Sequence, residues 1–191
     1  MSIYSNNGAP WWDEEIKNPD TGAALVAADT DGVVAAFEPL AGDNTPTLLT
    51  TALDWGRNLT LGIVDANSSM TKVTATITST DGHGRTVNET LVRTGGTGTT
   101  VGSKMHYKNI TIGIHVDGTV GAGADTVQVG WGDEIQVLWD IAATTDIRHR
   151  RMDSTSGVGT IDVTYQKWIL SGGNIPNGTR RYYTSGRSTA A

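Results

Sequence analysis

From Lys72 to Trp131 the chain alternates apolar and small polar residues with a period of two, in four successive segments. Val73, Ala75 and Ile77 alternate with Thr74, Thr76 and Thr78. Val87 and Leu91 stand between Thr86, Asn88 and Thr90. Ile110, Ile112, Ile114 and Val116 alternate with Asn109, Thr111, Gly113 and His115, and Val127, Val129 and Trp131 with Gln128 and Gly130. This spacing sends successive side chains to opposite faces of a strand. A helix needs apolar residues three and four apart, and no such stripe occurs in this stretch. The chain therefore reads as all-β.

The flanking segments extend that reading. Residues 23–27 and 33–37 flank Asp29-Thr30-Asp31-Gly32, the pattern of a β-hairpin with an Asp-Gly turn. Turn chemistry accounts for both aspartates, and a calcium loop would supply oxygens at more positions. Residues 47–53 and 58–64 read as two strands with Asp54-Trp55-Gly56 between them, and residues 65–69 as a plain loop. Gly132-Asp133 reads as a turn into a strand over 134–141, with Ile135, Val137, Trp139 and Ile141 on one face. Residues 142–153 read as irregular, 158–169 as one long strand, 174–178 as a turn, and 180–184 as a final edge strand before a frayed end. About nine or ten antiparallel strands predict two packed sheets, a β-sandwich or a jelly roll. Residues 1–21 carry the breakers Asn6–Pro10 and Asn18–Asp20 around a short helical turn at 11–16, and read as an extended N-terminal arm. The expected organisation is an arm and hairpin over 1–45 and a β-sandwich domain over 46–191.

Composition narrows the function classes. The net charge of −6 gives no global attraction to nucleic acid or to an anionic membrane. The absence of cysteine removes disulfide frameworks, thiol catalysis and cysteine zinc sites. No apolar run approaches the roughly 18 residues of a membrane span. The start of the chain lacks the basic-then-apolar pattern of a signal peptide, so synthesis in a cytosol is expected.

Few residues carry chemistry in a recognisable pattern. Gly95 to Lys104 is glycine-rich, but Gly102-Ser103-Lys104 lacks the Gly-Lys-Ser/Thr order of a phosphate loop, and a β pattern follows it. His83, His106, His115 and His149 lie in no helical zinc motif and read as solvated or hydrogen-bonded. Triad members meet only in space, so the sequence leaves that arrangement open. Glu89 and Glu134 are carboxylates of the kind a glycosidase pairs, yet nothing in their context singles them out. The five Asn-x-Ser/Thr matches are what Thr-rich strands generate by chance. Trp11 and Trp12 stand in the polar arm, where they either fold back on their own domain or anchor the arm in a neighbour. Arg148-His149-Arg150-Arg151 is the densest charge cluster, either a solvated loop or a docking surface for a carboxylate-rich partner.

The segment from Lys72 to Leu91 is an alternating strand, a Gly-rich turn and a strand carrying Glu89-Thr90. With Gly96-Thr97, Gly102-Ser103-Lys104-Met105 and residues 108–112 it resembles a recurrent pattern of tailed-bacteriophage virion structural proteins. The resemblance covers roughly residues 57–131. It implies a non-enzymatic β-sandwich or jelly-roll virion component, with no cofactor and no metal. The first expectation is a capsid decoration or cement protein that binds the major capsid protein or other virion proteins as a homo-oligomer. It would assemble into the virion after synthesis in the host cytoplasm, without contacting nucleic acid or membrane. Trp11, Trp12, Arg148, Arg150 and Arg151 are then the partner-binding candidates. Two alternatives stay open: a neck, tail or head-fibre component, and a carbohydrate- or receptor-binding β-sandwich module.

Overall fold

The structure is a computed structural model that describes residues 16–17, 24–120, 124–137, 141–144, 147–152, 155–156 and 158–187. Thirteen strands and one short 3-10 turn make up its regular elements, with no α-helix among the described residues. In chain order they are β1 (Ile16–Lys17), β2 (Asp29–Phe37), β3 (Gly42–Asn44), β4 (Ala52–Val64), β5 (Met70–Thr80), β6 (Thr86–Thr94) and β7 (Gly98–Gly118). β8 (Thr126–Gln136), β9 (Ile147–Met152), β10 (Thr155–Ser156), β11 (Thr160–Asp162), β12 (Lys167–Ile169) and β13 (Tyr182–Arg187) follow. Every pairing is antiparallel. The all-β antiparallel reading holds.

Nine strands form one curled sheet in the order β11-β12-β8-β4-β7-β5-β6, with β2 added to β8 and β3 to β7. The curl comes from β7, which changes partner midway. Its first half, Gly98 to Lys108, pairs with β4, and its second half, Lys108 to Gly118, with β5. Asn109 lies at the change with φ of 55°. The two arms of the sheet then face each other across one core. Leu59, Leu61 and Ile63 of β4 and Val127 and Val129 of β8 pack with Val73, Ala75 and Ile77 of β5 and Ile110, Ile112, Ile114 and Val116 of β7. These are the residues that the period-two pattern places inward. β2 crosses β8 so closely that a Cβ on Gly130 would lie 1.8 Å from the Asp29 carbonyl oxygen, and only glycine fits there.

A second, four-stranded sheet has the order β1-β13-β9-β10. Its apolar face shares a separate core with Ile135, Val137, Trp168 and Leu170. Trp168 stands edge-on to Tyr182 with ring centroids 5.7 Å apart.

Several local expectations are corrected. No hairpin spans 23–37: residues 24–28 carry no strand, and the Asp29–Gly32 motif opens β2, which pairs with β8. Asp54-Trp55-Gly56 is no turn but part of the continuous β4, and Gly132-Asp133 lies inside β8. At both places the ladder shifts register instead of breaking. The buried Arg57 fills the irregularity. Its guanidinium donates to the Gly132 carbonyl at 2.9 and 3.1 Å and to the Val26 carbonyl at 3.2 Å. Burial pushes its pKa down, and Asp54 and Asp133 oppose that shift. Residues 147–152 form β9 where irregular chain was expected. The expected long strand over 158–169 is instead a β11–β12 hairpin. β13 is no edge: it lies between β1 and β9.

Candidate functional site

The period-two pattern that buries Val73, Ala75 and Ile77 on β5 also turns Ser79 inward. On β6 it turns Glu89 inward beside Leu91, and on β7 it aligns His106 with Ile110, Ile112 and Ile114. These three polar side chains meet where β7 changes partner. His106 is fully buried and Ser79 is 2% exposed. His106 Nε2 lies 2.8 Å from Glu89 Oε2, and Nδ1 lies 2.7 Å from Ser79 Oγ. A carboxylate only accepts, so Nε2 carries the proton, and in the neutral ring Nδ1 accepts from the Ser79 hydroxyl.

Glu89 is the hub. Its Oε1 accepts from the Ser103 amide at 2.9 Å, the Ser103 hydroxyl at 3.2 Å and the Lys104 amide at 3.1 Å. Burial raises its pKa, but the His106 hydrogen bond and the two amides outweigh burial and hold the carboxyl below its ordinary value. Gly102 makes room for it: a Cβ there would stand 2.7 Å from Glu89 Oε2 and 2.9 Å from the Leu59 carbonyl oxygen. Glu89 and Gly102-Ser103-Lys104 are thus two halves of one clamp. Lys104 Nζ also donates to the Asn88 carbonyl at 2.5 Å, and the Thr100 hydroxyl to that of Val92 at 3.2 Å. Side chains of β7 therefore hold β6, although β5 stands between the two strands in the sheet order.

Beside this clamp lies an open cleft of about 490 Å³, lined among others by Asp81, Arg85, Lys104, Met105, Gln136 and Tyr165. Asp81 organises its floor. It accepts from the His83 and Arg85 amides, from the Arg85 side chain and from Gln136 Nε2. Burial raises the Asp81 pKa, and the Arg85 hydrogen bonds and charge reverse this and leave it lowered. Gln136 Oε1 accepts from the Gly82 amide, and His83 Nε2 lies 2.7 Å from the Val137 carbonyl oxygen. Tyr165, 40% exposed, stands at the rim with Lys167 Nζ 5.5 Å from its ring centroid.

The serine, histidine and glutamate have the residue types of a nucleophilic triad. Ser79 lies in the packed interior and is not among the residues lining the cleft. Its hydroxyl faces the His106 imidazole. Glu89 and Glu134 have separate partners, Glu134 accepting from the buried Lys167 Nζ at 2.7 Å. His115 is exposed between Asp43 and Asp117, at 2.6 and 3.2 Å, and the Asp43 hydrogen bond leads in raising its pKa against slight desolvation.

Trp11 and Trp12 lie outside the described residues. Of the arm, Ile16 and Lys17 pair with Arg187 and Gly186 of β13. Arg148, Arg150 and Arg151 lie on β9, between β13 and β10. Arg150 is half-buried and donates to the Gly159 carbonyl oxygen, so this side chain serves its own chain. Trp168 is buried and Trp131 packs against the main core, while Trp139 lies outside the described residues. Comparison with protein families, with curated proteins and with solved structures found no match to this chain.

Proposed function

We propose that this chain is a non-enzymatic structural protein of a tailed-phage virion, in the first instance a capsid decoration or cement protein. The observation that carries the reading is the clamp. The motif residues of the resemblance, Glu89 and Gly102 to Lys104, converge on one hydrogen-bonded point and fasten β6 to β7. A recurrent pattern of that kind is a folding determinant of a β module. The reading is further supported by the cleft, where Arg85 and Gln136 both donate to Asp81. The four-stranded sheet ends on the two-residue strand β1, a short edge of the kind an arm can exchange between subunits.

The test is the composition of purified particles that carry the chain. A copy number comparable to that of the shell subunit identifies decoration, and a single ring's worth identifies a neck or tail component. Absence of the chain from the particle overturns the proposal. Within it, deletion of residues 1–21 is expected to leave the domain folded and to weaken assembly, read by light scattering across concentration. Replacing Arg148 and Arg151 by alanine, with Arg150 kept for its bond to Gly159, is expected to reduce docking and its salt dependence.

A second reading, glycan or receptor binding, rests on Tyr165 at the rim of a polar cleft. Quenching of aromatic fluorescence by a glycan, abolished in Tyr165→Ala, would favour it.

A further inference from the structure

β4 and β8 run antiparallel with Leu61 opposite Val129, Ile63 opposite Val127 and Val64 opposite Thr126. Asp65 and Asp125 each lie one residue beyond the last pair of this ladder, Val64 with Thr126. The alternation that buries Leu61, Ile63, Val127 and Val129 turns both carboxylates inward, at the end of the main core. Asp65 is 5% exposed and Asp125 1%. Burial penalises each of these charges.

Among the described residues the donors leave one Asp65 oxygen unmet. Asp65 Oδ1 accepts from the Ser69 amide at 2.9 Å and more distantly from that of Met70 at 3.5 Å. Asp125 accepts from the Ala66 amide at 3.0 Å and from the Ser69 hydroxyl at 3.3 Å. Asp65 Oδ2 is fully buried and has no hydrogen-bond partner among the described residues. A buried carboxylate oxygen left unmet in this way marks a place for a missing positive group. Both carboxylates converge on the same five-residue turn, 65–69, which adds the Asn67 amide oxygen and the Ser69 hydroxyl. Every side-chain donor at the turn is an oxygen, the ligand type of a hard divalent cation.

We propose that Asp65 and Asp125 hold a divalent cation of calcium's class between the β4–β5 turn and the start of β8, with Asp65 Oδ2 and the Asp125 carboxylate as its anchors. The cation joins three chain reversals at one end of the sheet. The Asp65 amide donates to Thr97 Oγ1 in the β6–β7 turn at 2.9 Å, and the Thr119 amide after β7 donates to the Ser69 carbonyl at 3.1 Å. With two carboxylates the site belongs to the weak range of calcium modules, about 0.1–1 mM.

The experiment uses the full chain freed of metal by a chelator. Thermal melts with and without calcium chloride, and calorimetric titration of the folded protein with calcium, give the two readouts. The expected result is a melting temperature that rises with calcium and a titration that saturates. Asp65→Asn keeps an acceptor for the Ser69 amide, and Asp125→Asn one for the Ala66 amide. Each is expected to weaken calcium binding at least tenfold and to abolish the calcium-dependent rise. A wild-type protein that takes up no calcium to about 10 mM, well above that range, overturns the proposal. So does binding of equal strength in both variants. Should either variant fail to fold, the titration of the wild type and of the other variant decides.

Discussion

Glu89 and Asp65 are both carboxylates on the inward face of the curled sheet, at opposite ends of the alternating segments that build it. Glu89 is met by four donors, the His106 ring, two backbone amides and a hydroxyl. Among the described residues Asp65 is met on one oxygen only, and Asp125, which also binds the 65–69 turn, lies just beyond the same end of the β4–β8 ladder. Burial alone therefore does not tell a structural acid from a binding one. The count of donors does. A saturated carboxylate is finished as a piece of architecture, whereas the unmet oxygen of Asp65 is where the proposed cation would bind.

The comparison can be broken most severely at Glu89. Glu89→Ala strands four buried or half-buried donors at once, and a loss of about 3–5 kcal/mol is expected from urea denaturation, several donors each costing about 1–3. Gly102→Ala keeps every donor but drives a Cβ against the carboxylate and the Leu59 carbonyl, an overpacking expected to cost about 1–3 kcal/mol. A small effect there would mean that the clamp is looser than its distances.

The pH dependence sharpens the contrast further. The folded pKa of Glu89 lies below its ordinary 4.5. The stability it contributes is therefore present above that ordinary value and is lost as pH falls through the folded one. The gap in urea midpoint between wild type and Glu89→Gln is expected to be full near neutrality and to narrow below pH 4.5. A gap independent of pH would remove the charge from the account of this site. The smallest effect is expected at Asp65. In chelator, Asp65→Asn keeps the acceptor for the Ser69 amide and removes one buried negative charge, and should change stability by less than about 1 kcal/mol, in the stabilising direction. A large loss in chelator would make Asp65 a structural acid like Glu89.

Alternation made the inward face legible before any coordinates. Val73 to Ile77, Ile110 to Val116 and Val127 to Val129 all line the core as their period demands. The same parity placed Ser79, Glu89 and His106 inside, but parity does not say that three strands bring them to one point. That contact depends on β7 switching neighbours near Asn109, a property of the sheet and not of any local run. Asp54–Gly56 and Gly132–Asp133 carry turn residues and still lie in strands, because Arg57 joins the Gly132 and Val26 carbonyls across the irregular ladder. The reverse error occurred at residues 163–166, which contain neither Gly nor Pro and yet make a turn. There Gln166 takes φ of 53° and its side chain binds Ile141 and Val163. Asp65 and Asp125 were invisible as a pair because their place at one end of the β4–β8 ladder follows from its register.

The pairing of β2 with β8 has a consequence for how the chain comes into being. β4, β5, β6 and β7 can find one another as soon as residue 118 has left the ribosome. β2 cannot, for among the described residues its ladder is to β8, which is not complete until about residue 136. Val33 and Val34, buried in the finished protein, have no β8 to pair with while the intervening chain is synthesised. Closing so long a loop is slow relative to hairpin formation. Nascent or refolding chains thus pass through a stage with an unfilled strand position beside β8 and a sticky segment seeking it. At high concentration that segment can reach the vacancy in another molecule as readily as in its own.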